Sequence, residues 1–196
     1  LLPINLVLAV LFVIVGLIAQ GAQTYYITRQ AAGEHADAAG AMALGRSRAG
    51  LLFAWGVLAA LLTMLSVLVF VIPVIYVGTV MAVVAPVVLF EQEGLGRCFA
   101  LVNPRFLATL GRMASLFVVV AVYGVLVYLV VGAIFPGPLF DPVAGVDPWA
   151  NLVAEILFLP VSLFSAGVIV VTYAELRHHE RPGTVGTGRL VAELRP

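Results

Sequence analysis

Residues 50–90 read GLLFAWGVLAALLTMLSVLVFVIPVIYVGTVMAVVAPVVLF, a stretch that contains no charged residue and no histidine. A helix needs about 20 mostly apolar residues to cross a bilayer, so this stretch is too long for one crossing and predicts two. Proline lacks a backbone donor and clashes with the preceding helical turn. We therefore predict spans at 50–72 and 73–90, joined by a tight hairpin turn at Val71-Ile72-Pro73-Val74.

The rest of the chain has the same apolar character. Of its 196 residues, 63% are hydrophobic and 10% are charged, whereas a soluble domain has about 25% charged residues. A soluble fold of this size cannot bury so much apolar surface. Backbone polar groups in lipid must be satisfied internally, and the apolar runs are continuous rather than alternating. The sequence therefore predicts an all-α bundle of transmembrane helices.

Three more apolar runs complete the predicted bundle of five spans. These spans lie at about 3–27, 107–135 and 151–176. Together the five spans form a predicted transmembrane domain, residues 1–177. The remaining residues, 178–196, are predicted to be a cytoplasmic C-terminal tail with a short helix from Arg189 to Leu194.

The arginines predict the orientation of the bundle. All ten basic residues are arginine, and each lies in a region that follows span one, three or five. Short arginine-bearing loops stay in the cytoplasm, so we expect these regions and the C-terminus to be cytoplasmic. This topology puts Leu1 outside, and an upstream helix would then give six spans as three hairpins with both termini inside.

The regions after spans one and three repeat at a constant offset of 57 residues. The matching positions are Glu34 with Glu91, Ala43-Leu44 with Ala100-Leu101, and Arg48 with Arg105. Tyr25 and Arg29 likewise echo Tyr173 and Arg177. This pattern predicts pseudo-repeated hairpins, each followed by a cytoplasmic elbow helix at the interface. The alternative is that short loops share arginine for topology alone.

The elbow helices predict a binding surface. In the second repeat, apolar residues recur at spacings of three and four, namely Leu95, Phe99, Val102, Phe106 and Leu110. Such a helix lies in the interface and is attracted to anionic lipid, by about 1 kcal/mol per arginine. We therefore predict a collar that binds anionic headgroups or a protein partner, formed by Arg46, Arg48, Arg97, Arg105 and Arg112.

Three polar residues inside the spans suggest an intramembrane polar path. Gln20 and Gln23 lie near the inner end of span one, and Glu155 lies near the outer end of span five. An ionisable group in a membrane helix is a functional hypothesis by default. The alternatives are interhelical hydrogen bonds for the glutamines and a solvated position at a helix start for Glu155.

Other patterns give weak support for chemistry. His178 and His179 face different directions on one helix, so we predict no metal site. The lone Cys98 is predicted to be a packing residue, and the glycine-rich segment 183–188 lacks the lysine of a phosphate-binding loop. No span contains a histidine or lysine that could activate a serine. We predict no cofactor, no nucleic-acid partner and no enzymatic activity.

The segment VAPVVLFE, residues 84–91, followed by Ala100-Leu101, Asn103 and Arg105-Phe106, resembles the membrane domain associated with glycerophosphoryl diester phosphodiesterases. Tyr173-Ala174-Glu175-Leu176-Arg177 is similar to the close of that family's last span. The chain departs from the family at Leu101-Val102-Asn103-Pro104, where a basic, serine-bearing stretch is usual.

The resemblance implies a multi-pass protein of the bacterial plasma membrane. In that family, catalysis belongs to a separate soluble barrel domain. Nothing in this chain resembles that barrel, so no catalytic residue carries over. The resemblance instead implies a soluble enzyme domain as one kind of partner.

Three functions remain open from the sequence. The first is a non-catalytic scaffold or binding domain, in which small residues such as Gly56, Ala59 and Ala60 allow close helix contact. The second is a transporter or lipid-handling permease, favoured by internal repeats and by Pro86 and Pro160 within spans; a polar cavity past Gln23 would support it. The third, an enzyme acting on a membrane lipid, would rely on rim acids, namely Glu34, Asp37, Glu91 and Glu93.

Overall fold

The computed structural model describes residues 2–69, 71–135, 140–141, 145–146, 148–180 and 186–194. Four of its described helical segments are long and apolar enough to cross a membrane: Ala38–Leu68, Pro73–Glu91, Leu95–Ile134 and Pro148–Glu180. A further long helix, Leu2–Ala31, occupies the position of the first predicted span. The predicted all-α bundle is confirmed and fits a membrane protein, whereas the count of five spans stays a prediction.

Among the described residues, ten helical segments and two short strands follow one another along the chain. The helices are α1 (Leu2–Ala31), α2 (Ala38–Val69), α3 (Val71–Met81), α4 (Val84–Pro86), a π-helix (Val87–Glu91), α5 (Leu95–Val102), a 3-10 helix (Asn103–Arg105), α6 (Phe106–Ile134), α7 (Pro148–Glu180) and α8 (Thr187–Glu193). Between α6 and α7, two-residue strands β1 (Phe140–Asp141) and β2 (Gly145–Val146) pair antiparallel.

The second long helix starts earlier than its hydropathy predicts. α2 begins at Ala38 rather than near residue 50, so only residues 32–37 separate it from α1. Asp37 caps this start, because its Oδ2 accepts a hydrogen bond from the backbone N–H of Gly40 at 2.9 Å. The predicted separate elbow helix after span one is therefore wrong, since Ala43-Leu44 lies inside continuous α2.

The break between α2 and α3 also differs from the prediction. α2 ends at Val69 and α3 begins at Val71, while Phe70 lies outside the described residues. The predicted turn residues Val71-Ile72-Pro73-Val74 form the first turn of α3 instead. Proline is accepted there because the first N–H groups of a helix have no partner within the helix.

The third predicted span is interrupted at Ala82 and Val83, just before its proline, Pro86. α3 ends at Met81, α4 covers three residues, and the π-helix then runs to Glu91. Pro86 offers no backbone N–H for a regular helical bond. The π-helix ends at Gln92, which adopts the left-handed conformation with φ of 57°. This left-handed residue separates Glu91 from α5.

The amphipathic elbow helix is shorter than predicted. α5 ends at Val102, and a 3-10 turn through Pro104 connects it to α6. The residues of the predicted apolar face are all buried or half-buried: Leu95, Phe99, Val102, Phe106 and Leu110. α5 buries Leu95, Cys98, Leu101 and Val102. The prediction that Cys98 is a packing residue is confirmed by its complete burial.

The chain divides into two compact units. Unit 1 comprises Leu1–Leu110 and Ala166–Pro196, and unit 2 comprises Gly111–Ser165. In unit 2, Tyr123 on α6 donates a hydrogen bond to the carbonyl oxygen of Leu157 on α7 at 2.7 Å. Its ring meets Phe158 edge to face, with centroids 6.1 Å apart.

Two features organise unit 1. α1 and α2 approach backbone to backbone at Gly21 and Gly45, where an added Cβ on Gly21 would lie 2.9 Å from the Cα of Gly45. At the other end of the chain, Leu190 on α8 and Leu194, directly after it, are buried in the main hydrophobic cluster. The predicted short terminal helix is therefore present and packed, with bounds Thr187–Glu193.

Candidate functional site

A network of charged side chains converges on Glu91, the last residue of the π-helix. One carboxylate oxygen of Glu91, Oε1, accepts a hydrogen bond from the Tyr173 hydroxyl at 2.7 Å. The other, Oε2, accepts one from the Nε of Arg97 on α5. The Tyr173 ring stacks on Phe90, with centroids 5.2 Å apart. Glu91 therefore joins the π-helix to α5 and α7.

Arg97 extends this network to the end of α7. Its two terminal nitrogens donate to the two carboxylate oxygens of Glu180 at 2.7 and 2.6 Å. This paired geometry matches the planar fork of guanidinium to the two oxygens of a carboxylate. Arg97 thus balances two acids from two different elements.

Arg177 closes the network onto α8. Its terminal nitrogens donate to the two carboxylate oxygens of Glu193 at 2.5 and 2.9 Å. Its Nε lies 3.7 Å from Oε1 of Glu91, and its Nη1 donates to the Tyr173 hydroxyl oxygen at 3.3 Å. We call these six residues the inner network: Glu91, Arg97, Tyr173, Arg177, Glu180 and Glu193.

The inner network is largely shielded from solvent. The side chain of Glu91 is 10% exposed, and those of Arg97 and Arg177 are each 18% exposed. Partly buried charges are costly unless they are paired and hydrogen-bonded. Here three carboxylates face two guanidinium groups and one phenol, so each charge has an opposite partner. The arrangement fixes α5, α7 and α8 around the end of the π-helix.

A second cluster with similar chemistry lies between α1 and α2. The Tyr25 hydroxyl donates to Oδ1 of Asp37 at 3.2 Å, and Arg29 lies 3.5 Å from Glu34 and 3.9 Å from Asp37. The guanidinium of Arg29 also sits over the Tyr25 ring, 5.1 Å from its centroid. Gly40 is required for this packing, because an added Cβ would lie 2.6 Å from the Tyr25 hydroxyl oxygen.

The capping residue of this cluster predicts a pH dependence. The backbone N–H of Gly40 holds the pKa of Asp37 below its usual value, assisted by Tyr25 and Arg29. A carboxyl with a lowered folded-state pKa stabilises the fold above its unfolded pKa, and that stability is lost as pH falls through the folded value. We expect Asp37→Ala to lower the unfolding temperature at pH 7, and this deficit to shrink below about pH 4. Thermal unfolding from pH 7 to pH 3 measures it.

Asp37→Asn is the matched control, because asparagine caps a helix about as well as aspartate but does not titrate. Its unfolding temperature at pH 7 should lie between those of Asp37→Ala and the unchanged chain, because it keeps the cap but lacks the charge, and its difference from the unchanged chain should shrink at pH 3. A deficit for Asp37→Ala that is the same at pH 7 and pH 3 would show that ionisation of Asp37 contributes nothing.

The predicted arginine collar divides into two kinds of residue. Arg97 is held inside the network by Glu91 and Glu180. Arg112, half-buried on α6, also has an interaction partner. Within the described part of the chain, three collar residues have no ion pair or hydrogen bond from their side chains. We call them the unpaired arginines: Arg46, Arg48 and Arg105.

The predicted polar path is spread over both units. Gln20 is exposed and Gln23 half-buried on α1 in unit 1, whereas Glu155 is exposed on α7 in unit 2. The backbone carbonyl of Gln20 accepts a hydrogen bond from the Thr24 hydroxyl at 3.0 Å. The path itself stays a prediction.

Unit 1 contains two cavities near the unpaired arginines. One is lined by Arg105, and the other is lined by residues that follow Arg46 and Arg48 in sequence. A cleft of about 170 Å³ is lined by Ala100, Leu101, Pro104, Arg105, Leu176, His179 and Glu180. An apolar groove of about 350 Å³ between α1 and α2 is lined by Ile14, Leu17, Ala49, Gly50 and Phe53. Among the described residues, no three His, Cys, Asp or Glu side chains converge as metal ligands.

No protein-family model matches the chain, and comparisons with curated proteins and with solved structures find no match. The resemblance to the phosphodiesterase-associated membrane domain therefore stays a prediction.

Proposed function

We propose that this chain is a non-catalytic membrane scaffold whose arginine-bearing end binds an anionic partner, either a lipid headgroup or an acidic protein surface. The observation that carries the proposal is the division of the charges. The inner network pairs its acids with Arg97 and Arg177, which supports a structural use for them. The unpaired arginines then supply the positive charge for binding.

The proposed orientation places this end in the cytoplasm of a bacterial cell. The argument is the distribution of arginine, since short arginine-bearing segments remain on the cytoplasmic side. Anionic lipids concentrate in that leaflet and attract arginine near the surface. Membership of the phosphodiesterase-associated membrane-domain family belongs to the same proposal, and it would make a soluble enzyme domain a candidate partner.

The proposed pseudo-repeat is supported by matched local chemistry. Tyr25 and Tyr173 each donate their hydroxyl to a carboxylate. Arg29 and Arg177, one turn further along, each pair with carboxylates. The backbones differ around the later repeat positions, because Leu44 lies within α2 whereas Leu101 lies in the separate helix α5. The likeness is thus strongest at the tyrosine and arginine positions.

A second candidate is a lipid-handling permease, and one observation favours it. The span Pro73–Glu91 is broken into α3, α4 and a π-helix. Broken helices are typical of transporter binding sites, and π-helical turns are frequent at functional sites. The scaffold remains the better proposal because Glu91, the residue at the end of the broken span, is engaged by Tyr173 and Arg97.

An enzyme acting on lipid is the least supported function. Its candidate acids at the rim take part in ion pairs: Glu34 and Asp37 with Arg29, and Glu91 and Glu93 with Arg97. General acid–base catalysis needs a group within hydrogen-bond reach of a substrate proton. Paired acids are less available for that role.

Native mass spectrometry of the protein, gently extracted from its own membrane, tests the scaffold proposal. We expect a stoichiometric lipid or protein partner, and we expect it to be lost when all three unpaired arginines are replaced by glutamine. The matched control is Arg189→Gln, because Arg189 is exposed but pairs with Glu193 at 3.8 Å.

The outcomes separate the candidates. Retention of the partner by the triple variant would show that the unpaired arginines are not the binding surface. Transfer of lipid between the two leaflets of vesicles that contain the purified protein, with no stoichiometric protein partner, would favour the permease over the scaffold.

A further inference from the structure

We propose that the apolar groove between α1 and α2 holds one acyl chain of an anionic phospholipid, whose phosphate binds Arg46. This inference rests on the proposed binding role of the unpaired arginines and names their ligand. The groove lies within unit 1 and has a volume of about 350 Å³. That volume is at the lower end of the range for small-molecule pockets and suits a chain segment rather than a folded element.

The shape of the groove follows from small residues on α2. Ala49 and Gly50 carry no side chain beyond Cβ, so they leave space between larger neighbours. The walls are Ile14 and Leu17 on α1 and Phe53 on α2. A Cβ added to Gly50 would meet no atom within 4 Å. The groove is therefore open, and its lining is hydrocarbon.

The position of Arg46 matches a headgroup at the end of that groove. Residues four and seven apart share one face of an α-helix, so Arg46, Gly50 and Phe53 lie along one face of α2. Helical side chains lean towards the N-terminus of their helix, so the Arg46 side chain extends away from the apolar run that starts at residue 49. An anionic phosphate at this position would neutralise the charge of Arg46, which has no ion pair within the described residues.

Arg48 provides an internal comparison. It lies two residues from Arg46 and therefore about 200° around the helix, on a different face from Gly50. Arg46 is exposed and Arg48 is half-buried on α2, and neither has an ion pair in the described part of the chain. Only the face of Arg46 continues into the groove. A nonspecific attraction between basic residues and anionic lipid would affect the two residues alike.

The occupant is an anionic phospholipid rather than another helix, because the two halves of the site differ in chemistry. The groove offers only apolar contacts, and the adjacent guanidinium favours a phosphate. Gln20 is exposed on α1 and lies one turn from the lining residue Leu17. An anionic phospholipid matches both halves of the site, because its acyl chain fits the apolar groove and its phosphate fits the guanidinium of Arg46.

The test measures lipid retention by native mass spectrometry of the purified full chain in detergent. The probes are phosphatidylglycerol and phosphatidylcholine with identical acyl chains. We expect one phosphatidylglycerol to be retained in preference to phosphatidylcholine. Gly50→Leu, which fills the groove, should weaken this binding at least tenfold, whereas Gly56→Leu should not; a Cβ on Gly56 also meets nothing within 4 Å. Ala49→Leu fills the same groove and replaces Gly50→Leu if that variant does not fold.

Variants of Arg46 and Arg48 test whether the phosphate of the headgroup binds Arg46. Arg46→Gln should weaken phosphatidylglycerol binding about fivefold, the value for one arginine near an anionic surface, and Arg48→Gln should leave it unchanged. Equal binding of the two lipids, or equal effects of the two arginine variants, would overturn the assignment of the phosphate to Arg46. A dimer that Gly50→Leu abolishes would show that a second copy fills the groove and overturn the proposal.

Failure of this inference can be told apart from failure of the proposed function. If phosphatidylglycerol binds, is lost in the triple arginine variant and is insensitive to Gly50→Leu, the groove assignment is wrong and the anionic-partner scaffold stands. If neither lipid is preferred and no protein partner is retained, both proposals fall.

Discussion

Replacing Arg97 with glutamine is expected to lower the free energy of unfolding in detergent by about 2–3 kcal/mol. Arg97 is the shared partner of Glu91 and Glu180, so its loss leaves two carboxylates without their main counterion. Removing one partner of a fully buried ion pair costs about 3–5 kcal/mol. We expect less here because the Glu180 side chain is 36% exposed and water screens it. Chemical or thermal unfolding, followed by tryptophan fluorescence, measures the change.

Arg105→Gln is the matched control for that substitution. Arg105 is exposed and has no ion pair within the described residues, so its replacement should change the unfolding free energy by less than about 0.5 kcal/mol. Similar losses for Arg97→Gln and Arg105→Gln would show that the inner network does not stabilise the fold.

A double-mutant cycle isolates the bond to Glu180. If the bidentate pair contributes, Arg97→Gln combined with Glu180→Gln should cost less than the sum of the two single changes. Additive effects would mean that Arg97 acts through Glu91 alone.

The pairings within the inner network between residues far apart in the sequence could not be predicted from the sequence. Arg97 and Glu180 are 83 residues apart, and Tyr173 and Glu91 are 82 apart. The sequence predicts that Arg97 is near the end of a span, but a free arginine and a paired one have the same local pattern. The difference depends on α7 extending to Glu180, four residues past the predicted end of span five. Only tertiary packing determines which acid it meets.

Helix boundaries were less predictable than the apolar runs for a related reason. Hydropathy marks where a helix enters an apolar medium, whereas capping and backbone donors determine where it begins and ends. Asp37 starts α2 twelve residues before the predicted span, although residues 38–49 are not strongly apolar. Pro86 lacks a backbone donor, and the third span is interrupted beside it. α7 nevertheless continues through Pro160, so a proline in an apolar run did not by itself predict an interruption.

The sequence predicted that small residues would allow helices to approach closely, but it did not predict the position of the contact. Small residues at a helix interface were expected, with Gly56 as one candidate, yet a Cβ on Gly56 meets nothing within 4 Å. The backbone contact lies instead at Gly21 and Gly45. Every glycine offers the same lack of side chain, so the position of a contact depends on which helix faces it. Here α1 faces α2 at Gly45.

Gly45→Leu is therefore expected to be the most damaging substitution in the α1 and α2 pair, lowering the unfolding free energy by about 3 kcal/mol. An added Cβ at Gly45 would lie 2.5 Å from the carbonyl oxygen of Ile18 and 3.1 Å from its Cγ2. Overpacking a close contact costs about 1–3 kcal/mol and occasionally more. The cost should be high here because the carbonyl belongs to a helix backbone and cannot rotate away. Unfolding in detergent and the yield of folded protein measure it.

Gly56→Leu separates this clash from the general effect of replacing glycine. Leucine favours a helix over glycine by up to about 1 kcal/mol, and Gly56 has open space around it, so this control should be neutral or slightly stabilising. A second comparison tests the cause. Ile18→Ala removes Cγ2 but leaves the carbonyl in place, so adding it to Gly45→Leu should restore little stability. Substantial rescue by Ile18→Ala would mean that side-chain crowding, rather than backbone contact, sets the distance between α1 and α2. In that case the groove beside Gly50 would also change its width when these side chains change.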